Sequence, residues 1–166
     1  MKKNKYTSIE KIIQLTKKGK MFILVDDERR ENEGDLVIST SHSNPKNINF
    51  MAKNGRGLIC MALDNAQAKK LNLTLMSSVN ISRNPKTAFT VSIEAKKGVT
   101  TGISAKDRAH TIKVASKKNV NKNDIISPGH VFPIIAKDGG VLVRAGHTEA
   151  SVDISKLAKK NNSAVI

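Results

Sequence analysis

The sequence predicts one mixed α/β (α+β) domain over residues 1–166, a mixed β-sheet flanked by helices. Three observations predict it. Apolar runs of strand length interchange with stretches of helical periodicity, some strands following one another directly. With 166 residues, 39% of them hydrophobic, the chain is large enough for one sizeable core. No internal repeat or linker composition divides it.

Thr7 and Glu10 stand in capping-box spacing, with Thr7 as N-cap, and open a helix over 8–18. Ile9, Ile12, Ile13 and Thr16 share its inner face, and Gly19 stops it. The pentad at 21–25, Met-Phe-Ile-Leu-Val, reads as a fully buried strand, and 36–38 as a second strand. Pro45 suits the first turn of a helix carrying Ile48, Met51 and Ala52 inward and ended by Gly55. Residues 58–61 form a buried strand and 65–71 a short helix. The irregular stretch 74–86, with a turn at Asn84-Pro85, is expected to be an ordered loop near the site. Phe89, Val91 and Ile93 alternate as in a half-buried strand. Ser104 and Asp107 repeat the capping-box spacing before a helix running toward Ser116. Strands at 131–136 and 141–143 flank a hairpin-like Asp-Gly-Gly turn at 138–140. The last helix opens near Thr148 with Ala150, Ile154, Leu157 and Ala158 inward, and 163–166 begins a final strand.

Charge narrows the function classes. Lys and Arg number 29 against 14 Asp and Glu, a net charge of +15. That footprint fits a nucleic-acid binder, but aromatics are 3% of the chain and Trp is absent. The lysines come as scattered pairs, Lys17-Lys18, Lys117-Lys118 and Lys159-Lys160, where helix C-termini are expected. Attraction of an anionic small substrate, with codon drift toward Lys, Asn and Ile, accounts better for the charge than nucleic acid does. Cys60 is the single cysteine, which excludes an intramolecular disulfide and fits a reducing compartment. Without an apolar run of roughly 18 residues or a signal-type start, the expected location is the cytoplasm, away from membrane.

Against this basic background, residues 26–35 read Asp-Asp-Glu-Arg-Arg-Glu-Asn-Glu-Gly-Asp and hold six of the 14 acids. So dense a cluster is either solvated on a loop tip or neutralised by a divalent cation or a fixed Arg. If the backbone is extended, Glu31, Glu33 and Asp35 share one face, a row of oxygens suited to Mg²⁺ or Mn²⁺. Residues 144–148, Arg-Ala-Gly-His-Thr, precede the last helix, where free N–H groups, the Arg144 guanidinium and the Thr148 hydroxyl suit a phosphate. The other reading is a Thr N-cap beside a surface Arg. His130 is either a general acid/base or a His bonding a turn backbone. Thr101 sits in a possible anion-binding turn, Cys60 reads first as a core residue, and His42 and His110 read as structural.

Residues 26–35 resemble the signature of 3,4-dihydroxy-2-butanone 4-phosphate synthases. So do 98–108 (Gly-Val-Thr-Thr-Gly-Ile-Ser-Ala-Lys-Asp-Arg), 128–133 (Pro-Gly-His-Val-Phe-Pro) and 144–150 (Arg-Ala-Gly-His-Thr-Glu-Ala). The likeness runs from about residue 20 to the end, in family order, with Arg29 at a place usually acidic. The resemblance implies conversion of D-ribulose 5-phosphate to L-3,4-dihydroxy-2-butanone 4-phosphate and formate, with Mg²⁺ or Mn²⁺ and no organic cofactor. It implies Glu31 and His147 as metal ligands. Arg30, Glu31, Asp35, Thr101, Arg144, Ala145, Gly146, His147 and Thr148 then lie against substrate. It makes His130 essential, puts Cys60 near the chemistry, and implies a homodimer with sites near the subunit interface. A metal polarising the C2 ketone would acidify the C3–H, which an acid/base group removes.

In the family the strand begun at 163–166 continues into Cys-Glu, and that Glu is catalytic. By register it falls two positions beyond Ile166. The expectation is that these residues bind cation and substrate but turn over slowly, unless another carboxylate such as Glu33 takes its role. A catalytically impaired relative and a basic nucleic-acid-associated protein are the alternatives.

Overall fold

Helix α1 (Ile9–Lys17) starts one residue later than the capping-box spacing places it, because Ser8 rather than Thr7 is the N-cap, accepting from Lys11 N–H at 3.5 Å. It ends as expected. Gly19 (φ +71°) donates to Thr16 O and Lys20 to Leu15 O, the Schellman closure that requires a left-handed residue. In this computed structural model residues 6–76 and 87–166 are described, so most of the loop expected over 74–86 lies outside the described residues.

Strands β1 (Phe22–Val25), β2 (Gly34–Ser39), β3 (Cys60–Leu63), β4 (Ala88–Phe89), β5 (Ile93–Ala95), β6 (Ile125–Ile135) and β7 (Ser163–Val165) form one seven-stranded sheet. Its order is β1-β2-β7-β3-β6-β4, with β5 also on β6. Among the described residues only β3 and β6 pair in parallel, so the sheet is mixed, as the sequence predicts. The pentad is not a buried strand. β1 is the sheet edge, and Ile23 and Val25 are 66% and 47% exposed. Apolarity alone does not distinguish a central strand from an edge strand with one wet face.

Helices α2 (Pro45–Phe50), α3 (Asn65–Leu71) and α4 (Ala105–Ala115) start at side-chain caps Asn44, Asp64 and Ser104. Past α2 the chain widens into a π-turn, Met51–Gly55, closed by Arg56 in the left-handed region and not by Gly55. Strand β3 begins two residues later than expected, and Leu58 is exposed. The strand expected through Phe89 and Ile93 is split into β4 and β5, with Thr90 between them bridged to Leu75. No strand follows β6 at 141–143. Gly140–Leu142 is a 3₁₀ turn, its backbone at Val141 tied to Asp153, and Leu142 points to solvent at 94% exposure.

Strand alternation sorts the sheet into two faces. Ile38, Met61, Leu63, Val131 and Val165 join Ile48, Ala109 and Ile112 of α2 and α4 in the main core. On the other face the register aligns Ser39, Ala164 and Ala62 across β2, β7 and β3, a row of small side chains. Helix α5 (His147–Leu157) lies there, burying Ser151, Val152, Ile154 and Ser155. Leu157, expected inward, is 58% exposed. Asp35, Cys60, Ile134 and Ile166 continue this face beyond the start of α5, and their tips form the floor of a cleft.

Candidate active site

The acidic loop folds around Asp26 instead of extending. Its Oδ2 accepts from Arg30 Nη1 at 2.7 Å and from Glu31 N–H at 3.0 Å, and its Oδ1 from Glu33 N–H at 2.9 Å. Led by the Glu33 N–H, these bonds hold the Asp26 carboxyl down at about 2, an anion at any neutral pH. Asn32 takes φ +53° to close the turn, so the shared face expected of Glu31, Glu33 and Asp35 does not form. Arg30 also donates to Glu31 Oε2 at 2.9 Å. The fixed Arg is therefore present, and a group that could hold a cation stands beside it.

The place for a cation is made where α5 begins. Gly146 is the N-cap, so Thr148 lies in the first turn and is not the cap. His147 is buried at 7% exposure, and its Nε2 has no hydrogen-bond partner among the described residues. Asp26 Oδ1 stands 4.0 Å from Nε2, and Nδ1 faces Glu31 Oε2 at 3.9 Å and Asp35 Oδ2 at 3.7 Å. One donor atom each from Asp26, Glu31 and His147 lie within 4.8 Å of one another. An imidazole left unbonded beside acid oxygens at these separations fits a shared cation, since each gap is too long for a hydrogen bond. Burial, reinforced by the Glu31 and Asp26 carboxylates, raises the Asp35 carboxyl, while His147 works the other way.

Arg144 is fixed by salt bridge and hydroxyl. Its Nη1 meets Glu149 Oε2 at 2.6 Å and its Nη2 donates to Thr87 Oγ1 at 3.2 Å. Glu149, 1% exposed, also accepts from Lys137 N–H at 3.0 Å. A Cβ at Gly146 would run into Arg144 Nη1 and lie 2.7 Å from Glu149 Oε2, so glycine permits the guanidinium to cross the helix start. Together Arg30, Glu31, Glu33, Asp35, Cys60, Thr87, Phe89, Ile134, Arg144, His147, Thr148 and Ile166 line a cleft of about 210 Å³. Burial, with the Asp35 carboxylate beside it, pushes the Cys60 thiol up to about 12, so the thiol form prevails at neutral pH.

The chain does not bring His130 and Thr101 to this cleft. His130 sits on β6 two residues before Phe132, which pairs with Cys60 at the start of β3, and its Nδ1 lies 2.7 Å from Glu94 Oε2. Thr101 is exposed in the loop before α4. His42 and His110 stay outside both groups, His110 bonding Lys97 O at 2.9 Å. Sequence reasoning missed Asp26 as organiser, Thr87 and Glu149 as holders of Arg144, and Glu94. Glu94 was legible only as a lone acid between Ile93 and Ala95 of a buried strand.

Among the described residues no helix is long and apolar enough to cross a membrane. The model of the family described as 3,4-dihydroxy-2-butanone 4-phosphate synthase matches residues 10–166. A synthase of that name from Photobacterium phosphoreum is 50% identical over 160 residues, 96% of this chain and 44% of the relative. A riboflavin biosynthesis protein of Aquifex aeolicus is 52% identical over 165 residues, 98% of the chain and 40% of the relative. The chain thus spans less than half the length of these curated relatives. A crystal structure of a 3,4-dihydroxy-2-butanone 4-phosphate synthase with two magnesium ions superposes with a TM-score of 0.91 at 38% identity, covering 96% of this chain and 74% of that one. With fold and sequence in agreement over nearly its whole length, the chain belongs to the 3,4-dihydroxy-2-butanone 4-phosphate synthase family of riboflavin biosynthesis.

Proposed function

We propose that the chain converts D-ribulose 5-phosphate to L-3,4-dihydroxy-2-butanone 4-phosphate and formate, with the cleft at the start of α5 holding the sugar phosphate. The observation that carries this is the buried, unbonded His147 Nε2 set among Asp26 and Glu31, next to a fixed Arg144. Glu31 and His147, with Asp26 beside them, would hold Mg²⁺ or Mn²⁺, which supplies when bound the positive charge that polarises the substrate carbonyl. Arg144 and the free N–H groups of α5 attract the phosphate, and Thr148 adds a hydroxyl. Arg30, tied to Asp26 and Glu31, keeps the loop folded at the cleft wall. Asp35 accepts from sugar hydroxyls, Glu33 is the spare carboxylate at the rim, and buried Cys60 shapes the floor. His130 moves the C3 proton.

His130 and Thr101 lie outside the cleft of their own chain. That separation is what a homodimer with shared sites leaves in one subunit, and it supports a dimer in which each copy lends these two residues to its neighbour. The test is formate release from ribulose 5-phosphate with and without Mg²⁺. Glu31→Gln and His147→Ala are each expected to abolish metal-dependent release while the thermal melt stays cooperative. Near-normal release by either variant removes the metal assignment.

A further inference from the structure

The acid/base group of the proposed reaction has a partner of its own, on an element no site motif touches. Glu94 lies in β5 between Ile93 and Ala95, both 0% exposed, and is itself 6% exposed. A register shift between Ile93 and Glu94 interrupts the regular β5–β6 pairing there. Glu94 Oε2 lies 2.7 Å from His130 Nδ1, and its Oε1 accepts from Thr111 Oγ1 at 3.1 Å. Thr111 Oγ1 in turn accepts from Ala95 N–H at 3.1 Å. The Thr111 hydroxyl proton is therefore committed to Glu94.

A carboxylate only accepts hydrogen bonds, so the His130 proton belongs on Nδ1 and Nε2 is left as the working nitrogen. The ring side chain is 41% exposed, whereas that of Glu94 is 8% exposed. The Nδ1 side is closed by Gly102 (φ +88°): a Cβ there would strike Glu94 Oε2 and lie 2.6 Å from His130 Nδ1. Gly102 is pinned in turn, its N–H donating to Asp107 Oδ2 at 3.1 Å, beside the Thr100 hydroxyl at 2.7 Å.

We propose that Glu94 is a positioning residue for the reaction: it fixes His130 in the Nδ1–H tautomer and presents Nε2 to the substrate. The proposal rests on the reading of His130 as the acid/base group. Thr111 makes it sharply testable. In Glu94→Gln the amide oxygen must face the donating Thr111 hydroxyl, which turns the amide NH₂ toward His130. That NH₂ donates to Nδ1 and drives the proton onto Nε2, the wrong tautomer for a base. In Glu94→Ala the ring is merely released.

Steady-state formate release is measured for the unsubstituted chain, His130→Asn, Glu94→Gln and Glu94→Ala, with the tautomer of His130 read from its ¹⁵N shifts. The expected result is an inverted ranking: the near-isosteric Glu94→Gln loses about 10²-fold in kcat, close to His130→Asn. Glu94→Ala loses less, and KM changes by no more than about three-fold in each. The ¹⁵N shifts should report Nδ1–H in the unsubstituted chain and Nε2–H in Glu94→Gln. Glu94→Ala falling below Glu94→Gln, or Glu94→Gln staying within about two-fold of the unsubstituted chain, overturns the proposal. So does an Nε2–H tautomer in the unsubstituted chain. Full activity in His130→Asn instead overturns the reading of His130, and the ¹⁵N shifts then decide the Glu94 contact separately.

Discussion

Three aspartates with one side-chain chemistry meet two fates here, set by what surrounds each. Asp26 is held down at about 2 by backbone N–H groups and Arg30. Asp35 is raised by burial and by its acidic neighbours. Asp107 is lowered chiefly by the Thr100 hydroxyl, against the cost of desolvation, with help from Gly102 N–H. A carboxylate whose folded value is depressed contributes stability that is complete above its unfolded value of about 3.9 and is lost as pH falls through the folded one. Asp107→Asn is therefore expected to melt several degrees lower at pH 7, with the gap closing as pH is taken below about 4. Melting curves across that range check it, and a gap independent of pH would assign the effect to shape and not charge. Arg144 was legible by type and by its place before a helix, whereas Glu31 and His147 were paired only by the family resemblance, and the fold brings all three to one cleft. Asp26, Glu149 and Glu94 act through another side chain, and only the tertiary fold determines which one.

At the level of elements, some caps and breakers were read correctly while others lie a residue or two away, at Ser8, Arg56 and Gly146, and several faces were misread. Helix α3 has the expected bounds, and Ser104 and Gly19 do what their chemistry predicts. Errors of face lie where apolar residues meet water: Ile9 on α1, Ile23 and Val25 on the edge strand, Val141 to Val143 in and just after a 3₁₀ turn, and Leu157 on α5. A hydrophobic pattern records opportunity for burial, and the layer above the element decides whether it is used. Helix α5 carries the element whose start matters most. Gly146→Ala has a permissible φ of −122°, so its effect is steric, pushing Arg144 away from Glu149. The expected result is a KM for ribulose 5-phosphate raised about ten-fold, the scale of one charge-assisted hydrogen bond, with kcat less affected. Unchanged steady-state kinetics would show that the displaced guanidinium does not hold substrate.

On the scale of the whole molecule, the cleft and the His130–Glu94 pair stand as two separate groups on one chain. If a second copy joins them, mixing His147→Ala chains with His130→Asn chains should restore activity that neither has alone. Random assortment makes about half the dimers mixed, each with one site free of both substitutions, so recovery should approach about a quarter of full activity. A mixture no better than its parents would mean that each site is completed within one chain. The mixed single-sheet fold was legible from composition and element order, but the separation of His130 from the cleft was not, because it depends on where strands stop relative to one another. The small-residue face beneath α5 has a further consequence. Ser155 stands eight residues from His147, about 12 Å along a rigid rod. The helix is thus a lever arm resting on Ser39, Ala164 and Ala62, and a tilt of about 5° at its far end swings the imidazole by about 1 Å. A side chain too distant to touch the cleft can detune it by thickening that bearing surface by a single methyl group.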